Sequence, residues 1–293
     1  MKFKYLLLAL FTVVIWGVSL PVTTILLDNG FTANNITFFR FFIATVIMHL
    51  FLGDRRKQKI EPKDRINFMI MGLCGTTLFF YFENTALRFT SVSNTALITA
   101  LIPLFTLVTA VVIYRKKILW QNYIGIPLGL MGTALLFYKD IVNSSVHLKG
   151  DLFVFGSVLM WVAYSFVYRK VSNKYKPMFI VYKTFIYGCL FTIPMLVFEY
   201  REFSSITINL QVVSALFYLS ILCSLLGYYF WILAINNIGI KATVNLILLL
   251  PVVSVSAGVL FLSEPLNANL FLAMIAIMAS SYLTSISKRE SYF

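Results

Sequence analysis

Charge is scarce in this chain. Asp, Glu, Lys and Arg make up 12% of its 293 residues, and only 11 residues are acidic. Soluble domains run near 25% charged. Histidine occurs only at His49 and His147, far apart, and cysteine only at Cys74, Cys189 and Cys223, each inside an apolar run. No metal-ligand spacing and no disulfide framework can be built from them. No Asp lies inside an apolar run, which removes the paired aspartates of an intramembrane protease, and His49 has no evident nucleophile or metal beside it. An enzyme is therefore not expected, nor a cofactor. Long polar stretches are missing as well. The longest gaps between apolar runs are 53–65 and 139–150, too short for a soluble domain.

What is abundant is hydrocarbon: 60% of residues are hydrophobic and the mean hydropathy is +0.87. A soluble globule of this length has too little interior to hide that surface, so the excess must face lipid. A spanning helix needs about 20 mostly apolar residues. Ten segments qualify: 5–27, 33–52, 66–88, 91–114, 119–138, 151–170, 177–198, 210–235, 239–263 and 267–286. The first lacks a small-residue cleavage site and carries Trp16 and Pro21, so it reads as a retained helix. The expected fold class is an all-α polytopic membrane protein.

The chain also reads as one unit written twice. A shift of about 148 residues sets Tyr81 on Tyr229, Phe82 on Phe230, Thr95 on Thr243 and Pro103 on Pro251; a shift of about 145 sets Thr12 on Ser157 and Trp16 on Trp161. The expected units are 1–140 and 150–290. Five helices in each is an odd number, so the second unit enters from the opposite side. The ten helices then form two inverted five-helix repeats, an arrangement that secondary transporters use to build a midplane site.

Orientation follows from basic residues. With the N-terminus inside, only Arg88, Lys139, Lys149 and Arg201 of the 24 Lys and Arg fall outside, and only Arg40 and Lys183 fall within helices. Both termini are thus expected in the cytoplasm. The net charge of +13 is a topology signal, and nucleic acid is not expected.

Polar residues within a membrane helix are costly unless they face protein or water. Thr12, Trp16, Ser19 and Thr23 share one helical face, and Ser157, Trp161, Tyr164 and Tyr168 repeat the spacing. Gly72, Thr76, Phe79 and Glu83 form another face, matched by Ser220, Ser224, Gly227 and Trp231. Thr95, Thr99 and Pro103 continue the pattern. Such stripes serve either close packing through small residues or a cavity wall. As a wall, the lining residues are Trp16, Glu83, Thr99, Trp161, Tyr164, Trp231 and Asn245. The fifth segment reads differently: Gly125 and Gly129 form GxxxG with Gly132 one turn on, Ala273, Ile277 and Ser280 are the counterparts, and the pattern suggests close helix contact within the fold or between two subunits.

Glu83 lies about 7 Å, and Arg40 about 10 Å, inside the same membrane face by helical rise. The two form either a fixed ion pair or a site for a cation, an amine or a coupling proton. Lys183, about 9 Å from the opposite end by the same rise, is expected to snorkel to the interface.

The pattern resembles the EamA-type branch of the drug/metabolite transporter superfamily over nearly the whole chain. The resemblance rests on Trp16-Gly17, Phe39-Arg40, Ala86-Leu87, Thr90-Ser91, Ala96 and Pro103, then on Trp161, Ala234, Gly239, Ala242, Pro251 and Glu264. The family often ends the fourth helix of each repeat with Glu; Glu264 keeps it, and Lys116 departs from it. The resemblance implies a multi-pass carrier of the cytoplasmic membrane, often an exporter, for amino acids, other small metabolites or drugs. The alternative function is translocation of a lipid-linked carrier or lipid. The expected partners are a small-molecule substrate and the bilayer, with a coupling proton and a homodimer as open alternatives.

Overall fold

A computed structural model describes residues 2–51, 53, 58–115, 119–142, 147–199, 202, 205–239, 243 and 246–285. Among these the chain is helical, with no strand. The reason is the solvent: in hydrocarbon, backbone N–H and C=O groups must pair within the segment.

The helices are α1 (Lys2–Asp28), α2 (Ala33–Phe51), α3 (Pro62–Ala86), α4 (Val92–Thr99 and Ile102–Tyr114) and α5 (Trp120–Val142). They continue with α6 (His147–Ser172), α7 (Pro177–Phe198), α8 (Leu210–Ile238), α9 (Ile247–Leu262) and α10 (Ala268–Ser285). Among the described residues, seven helices are long and apolar enough to cross a membrane: α1 to α4 and α6 to α8. α9 and α10 are shorter apolar helices. Residues such as Leu50, Phe198, Leu210 and Leu260 are more than two-thirds exposed, as lipid-facing side chains would be.

The two halves interlock. α1 packs on α8 and α9, α2 on α7 and α8, α3 on α6 and α7, α4 on α6 and α9, and α5 along α10. Local irregularities recur at matching places. α3 contains a π-helical segment, Leu73–Leu78, and α8 contains another, Tyr218–Gly227. α4 breaks at Ala100 and Leu101 and restarts with Pro103 in its first turn; the last stretch of α9, Leu250–Leu262, likewise has Pro251 in its first turn. Proline is tolerated there because the first helical N–H groups have no partner to lose. Both of these helices end on a left-handed residue, Arg115 at φ 48° and Ser263 at φ 54°. The single helix expected over 91–114 is thus two pieces. The freed Ala100 carbonyl is taken by the Ser281 hydroxyl of α10.

Two caps tie ends together. Glu264, just past α9, accepts from Val92 N at 2.7 Å, Ser93 N at 3.0 Å and Ser93 Oγ at 2.5 Å. A carboxylate on the first N–H groups of α4 meets their positive partial charge. Glu199, at the end of α7, accepts from Thr32 Oγ1 at 2.5 Å and Asn34 Nδ2 at 2.7 Å, fixing the start of α2.

The glycines of α5 turn inward on α10. A Cβ on Gly129 would lie 2.6 Å from Ser280 Oγ, and one on Gly132 would lie 2.7 Å from Ile277. Their close contact is therefore within the fold.

Candidate functional site

The site is built around the two π-helical segments. A π turn inserts an extra residue into the helical ladder and releases carbonyls from their usual partners. In α8, Cys223 O accepts the Trp16 indole N–H at 3.0 Å, and Leu219 O accepts Ser224 Oγ at 2.9 Å. In α3, Thr77 Oγ1 donates at 2.9 Å to Gly188 O of α7. Small residues let neighbours approach these turns. A Cβ on Gly227 would sit 2.6 Å from Trp16 Nε1, and one on Gly75 would sit 2.4 Å from the Tyr164 ring.

Aromatic rings gather on each turn. Trp16 lies 5.5 Å from Tyr228 and 5.2 Å from Trp231, centroid to centroid. Trp161 lies 5.0 Å from Phe79 and 5.0 Å from Tyr164. The two groups are continuous through Phe185, Phe41 and Phe80: Tyr228–Phe185 5.3 Å, Phe185–Phe41 4.6 Å, Phe41–Phe80 4.8 Å and Phe80–Phe79 4.8 Å. Such pairs contribute about 0.5–1.5 kcal/mol each beyond burial. The two tryptophans that the repeat sets in register, Trp16 and Trp161, thus anchor the ends of one ring-to-ring path.

Arg40 stands over this path. It is 4% exposed, with its guanidinium carbon 4.6 Å from the Phe80 centroid and 5.3 Å from Phe41. Its Nε donates to Ser224 Oγ at 2.8 Å. Glu83 is 8% exposed, on the last turn of α3. Among the described residues its carboxylate makes no hydrogen bond and no ion pair. The Arg40 charge acts on it, and both charges act on the Tyr228 phenol. The ion pair that equal depth suggested is not formed, because α2 leans on α8 and gives Arg40 a hydroxyl partner there. A buried carboxylate without a partner costs several kcal/mol, so it calls for a proton, water or a cationic ligand.

Of the residues read from sequence, Trp16 meets Trp231 and Trp161 meets Tyr164. Arg40 and Glu83 lie within electrostatic range of each other. Thr99 makes none of these contacts; it ends the first piece of α4 with its Oγ1 buried and unpartnered. Asn245 lies outside the described residues. Tyr228, Phe185, Phe41 and Phe80 were missed. Tyr228 could have been found as the neighbour of Gly227 in the polar stripe of α8. The three phenylalanines carry no signal among the 28 in the chain.

Elsewhere, a cavity of 300 Å³ opens between the start of α3 and α7, lined by Gln58, Lys59, Ile60, Arg65, Lys183 and Tyr187. A second, of 240 Å³, lies beside the Glu264 cap, with Ser91, Asn94, His147 and Asn267 in its wall. Neither reaches the tryptophans. Among the described residues, no group of three or more His, Cys, Asp or Glu could hold a metal ion.

Known proteins resemble this chain along its whole length. The EamA-like transporter family matches it twice, over residues 3–138 and 148–286. An uncharacterized transporter of Archaeoglobus fulgidus is 26% identical over 289 residues, spanning 98% of both chains. A probable amino-acid metabolite efflux pump of Escherichia coli is 22% identical over 291 residues, 96% of this chain and 95% of that one. A protein of known crystal structure superposes with a TM-score of 0.63 at 16% identity, covering 97% of this chain and 98% of the other. That last likeness bears on the fold alone.

Proposed function

The chain belongs to the EamA-like transporter family, and from that premise we propose a secondary transporter that exports a small metabolite, an amino acid or an amphipathic amine by alternating access. It is a helical, multi-pass membrane protein. On this reading ten helices cross the cytoplasmic membrane as two inverted repeats, 1–140 and 150–290, with both termini in the cytoplasm. Three features support the inversion. The family matches the chain twice. The π segments of α3 and α8 recur at corresponding places. The packing of α1 and α2 on α8 mirrors that of α6 and α7 on α3. The distribution of Lys and Arg supports the orientation.

One observation carries the functional reading. Two opposite charges, Arg40 and Glu83, are each more than nine-tenths buried, Arg40 over the Phe41 and Phe80 rings, and among the described residues they form no ion pair with each other. A structural pair would have closed. A transport site must leave its charge available, and Glu83 then holds a coupling proton or a substrate amine in turn. Trp16, Trp161, Tyr164 and Trp231 supply rings for the apolar part of the substrate and for cation–π attraction. Thr99 and Asn245 complete the proposed lining. The name of the Escherichia coli relative favours an amino-acid metabolite among these substrates.

The test is counterflow in proteoliposomes with soluble amino acids and amines, wild type beside Glu83→Gln. Transport that is lost, or that loses its pH dependence, in a folded Glu83→Gln protein supports the reading. Unchanged uptake across the neutral range removes Glu83 from the mechanism. Activity confined to lipid-linked sugars would instead favour a lipid-carrier translocase.

A further inference from the structure

We propose that the 300 Å³ recess between α3 and α7 is a binding site for a phosphate-bearing anion, separate from the aromatic path. Its wall holds three cations, Lys59, Arg65 and Lys183, with the side chains of Gln58, Ile60 and Tyr187. Among the described residues, the acids on the same short stretch are already engaged. Glu61 pairs with Lys63 at 2.9 Å, and Asp64 pairs with Lys174 at 3.0 Å and accepts from Tyr175 OH at 3.1 Å. Among the described residues no acid lines the recess, and none of its three cations forms an ion pair.

Two parts of its wall are held in place by neighbouring contacts. Gln58 is held on both sides by the turn between α6 and α7, donating to Lys174 O at 3.3 Å and accepting from Lys176 N at 3.2 Å. Tyr187 cannot retreat, because its Cβ already lies where a Cβ on Gly72 would be 2.4 Å away. Lys183 is half-buried, inside α7 rather than at its end, with its ammonium 5.6 Å from the Phe179 ring and 5.6 Å from the Tyr182 ring. Its ammonium thus leans back toward the start of α7, the direction expected of a snorkelling lysine, and lines the recess with two other positive groups.

A guanidinium fork and two ammonium groups match the several oxygens and multiple charge of a phosphate better than a single carboxylate. The recess lies where residues 58–60, ahead of α3, meet α7. The phosphate could belong to an anionic lipid headgroup or to a soluble phosphate ester, and binding would bridge α3 to α7.

The test uses the purified full chain in neutral detergent. One arm titrates glycerol phosphate by calorimetry. The other compares retention of phosphatidylglycerol and phosphatidylcholine by native mass spectrometry. The expected result is saturable single-site binding in at least one arm, weakened about tenfold or more in Lys183→Gln and in Arg65→Gln, kept in Lys183→Arg, and reduced by salt. Binding of glycerol phosphate assigns a soluble ligand; selective retention of phosphatidylglycerol alone assigns a lipid. Wild-type protein that prefers neither ligand over glycerol or phosphatidylcholine overturns the proposal, and this arm needs no variant to fold. Affinity unchanged in both glutamine variants overturns it equally. Failure here leaves the Glu83 reading untouched, since the two sites share no residue.

Discussion

Arg40 and Ser224 join α2 to the π-helical turn of α8 through one hydrogen bond, Nε to Oγ at 2.8 Å. Ser224 in turn donates to Leu219 O at 2.9 Å, the carbonyl five residues back that the widened turn leaves free. Hydrogen bonds to charged groups contribute about 1.5–3 kcal/mol. Removing either partner should therefore cost that much, and removing both should cost less than the sum. A double-mutant cycle of Arg40→Gln and Ser224→Ala, read by reversible unfolding in mixed micelles, should give a coupling of about 1–2 kcal/mol. Additive effects would show that the bond contributes nothing.

Glu264 gathers three donors at the start of α4. Glu264→Ala should lower stability by about 1–2 kcal/mol, as loss of a helix cap does. Glu264→Gln should lose less, since one amide oxygen still accepts. Thermal unfolding should rank the three proteins in that order, with exchange protection lost first at Val92 and Ser93.

Gly72 lets α3 touch α7. A methyl group there would meet Tyr187 Cβ at 2.4 Å and the Gly188 backbone N at 2.8 Å. Backbone cannot swing aside as a side chain can, so Gly72→Ala should destabilise by about 1–3 kcal/mol. A variant as stable as wild type would mean that the two helices part easily.

Tyr175 lies in the turn between α6 and α7, donating to Asp64 and accepting from Glu61 N at 3.0 Å. Burial is the main cause that pushes its phenol above the ordinary 10.0. A raised folded value stabilises the protein below the unfolded pKa and stops doing so as pH rises through the folded one. The unfolding midpoint should fall in that alkaline window. Tyr175→Phe should start lower at neutral pH and show a shallower alkaline fall.

Seven of the expected spans were legible, because an apolar run of about 20 residues in lipid has one economical backbone form. The stripes were legible in part. Thr12 and Thr23, read as facing inward, are 0% and 2% exposed, and Trp16 between them reaches α8. The π turns were not legible, since an extra residue in the ladder leaves the apolar count unchanged. Nor was the partner of Arg40. Depth along a helix is one coordinate of three, and it matched Arg40 to Glu83 while the lean of α2 chose Ser224. The role of Glu264 as a cap was also hidden, because Val92 and Ser93 are remote from it in sequence and donate mostly backbone groups.

In the other half the position matching Ser224 is Thr76, and beside it Thr77 Oγ1 donates to the Gly188 carbonyl, a neutral bond with no guanidinium. On the proposed alternating-access cycle, two halves matched in every detail would leave the molecule indifferent to the side it faced. A guanidinium at this contact in only one half would end that indifference, so that one posture would lie lower and each turnover would have to draw on a gradient or a bound passenger to leave it.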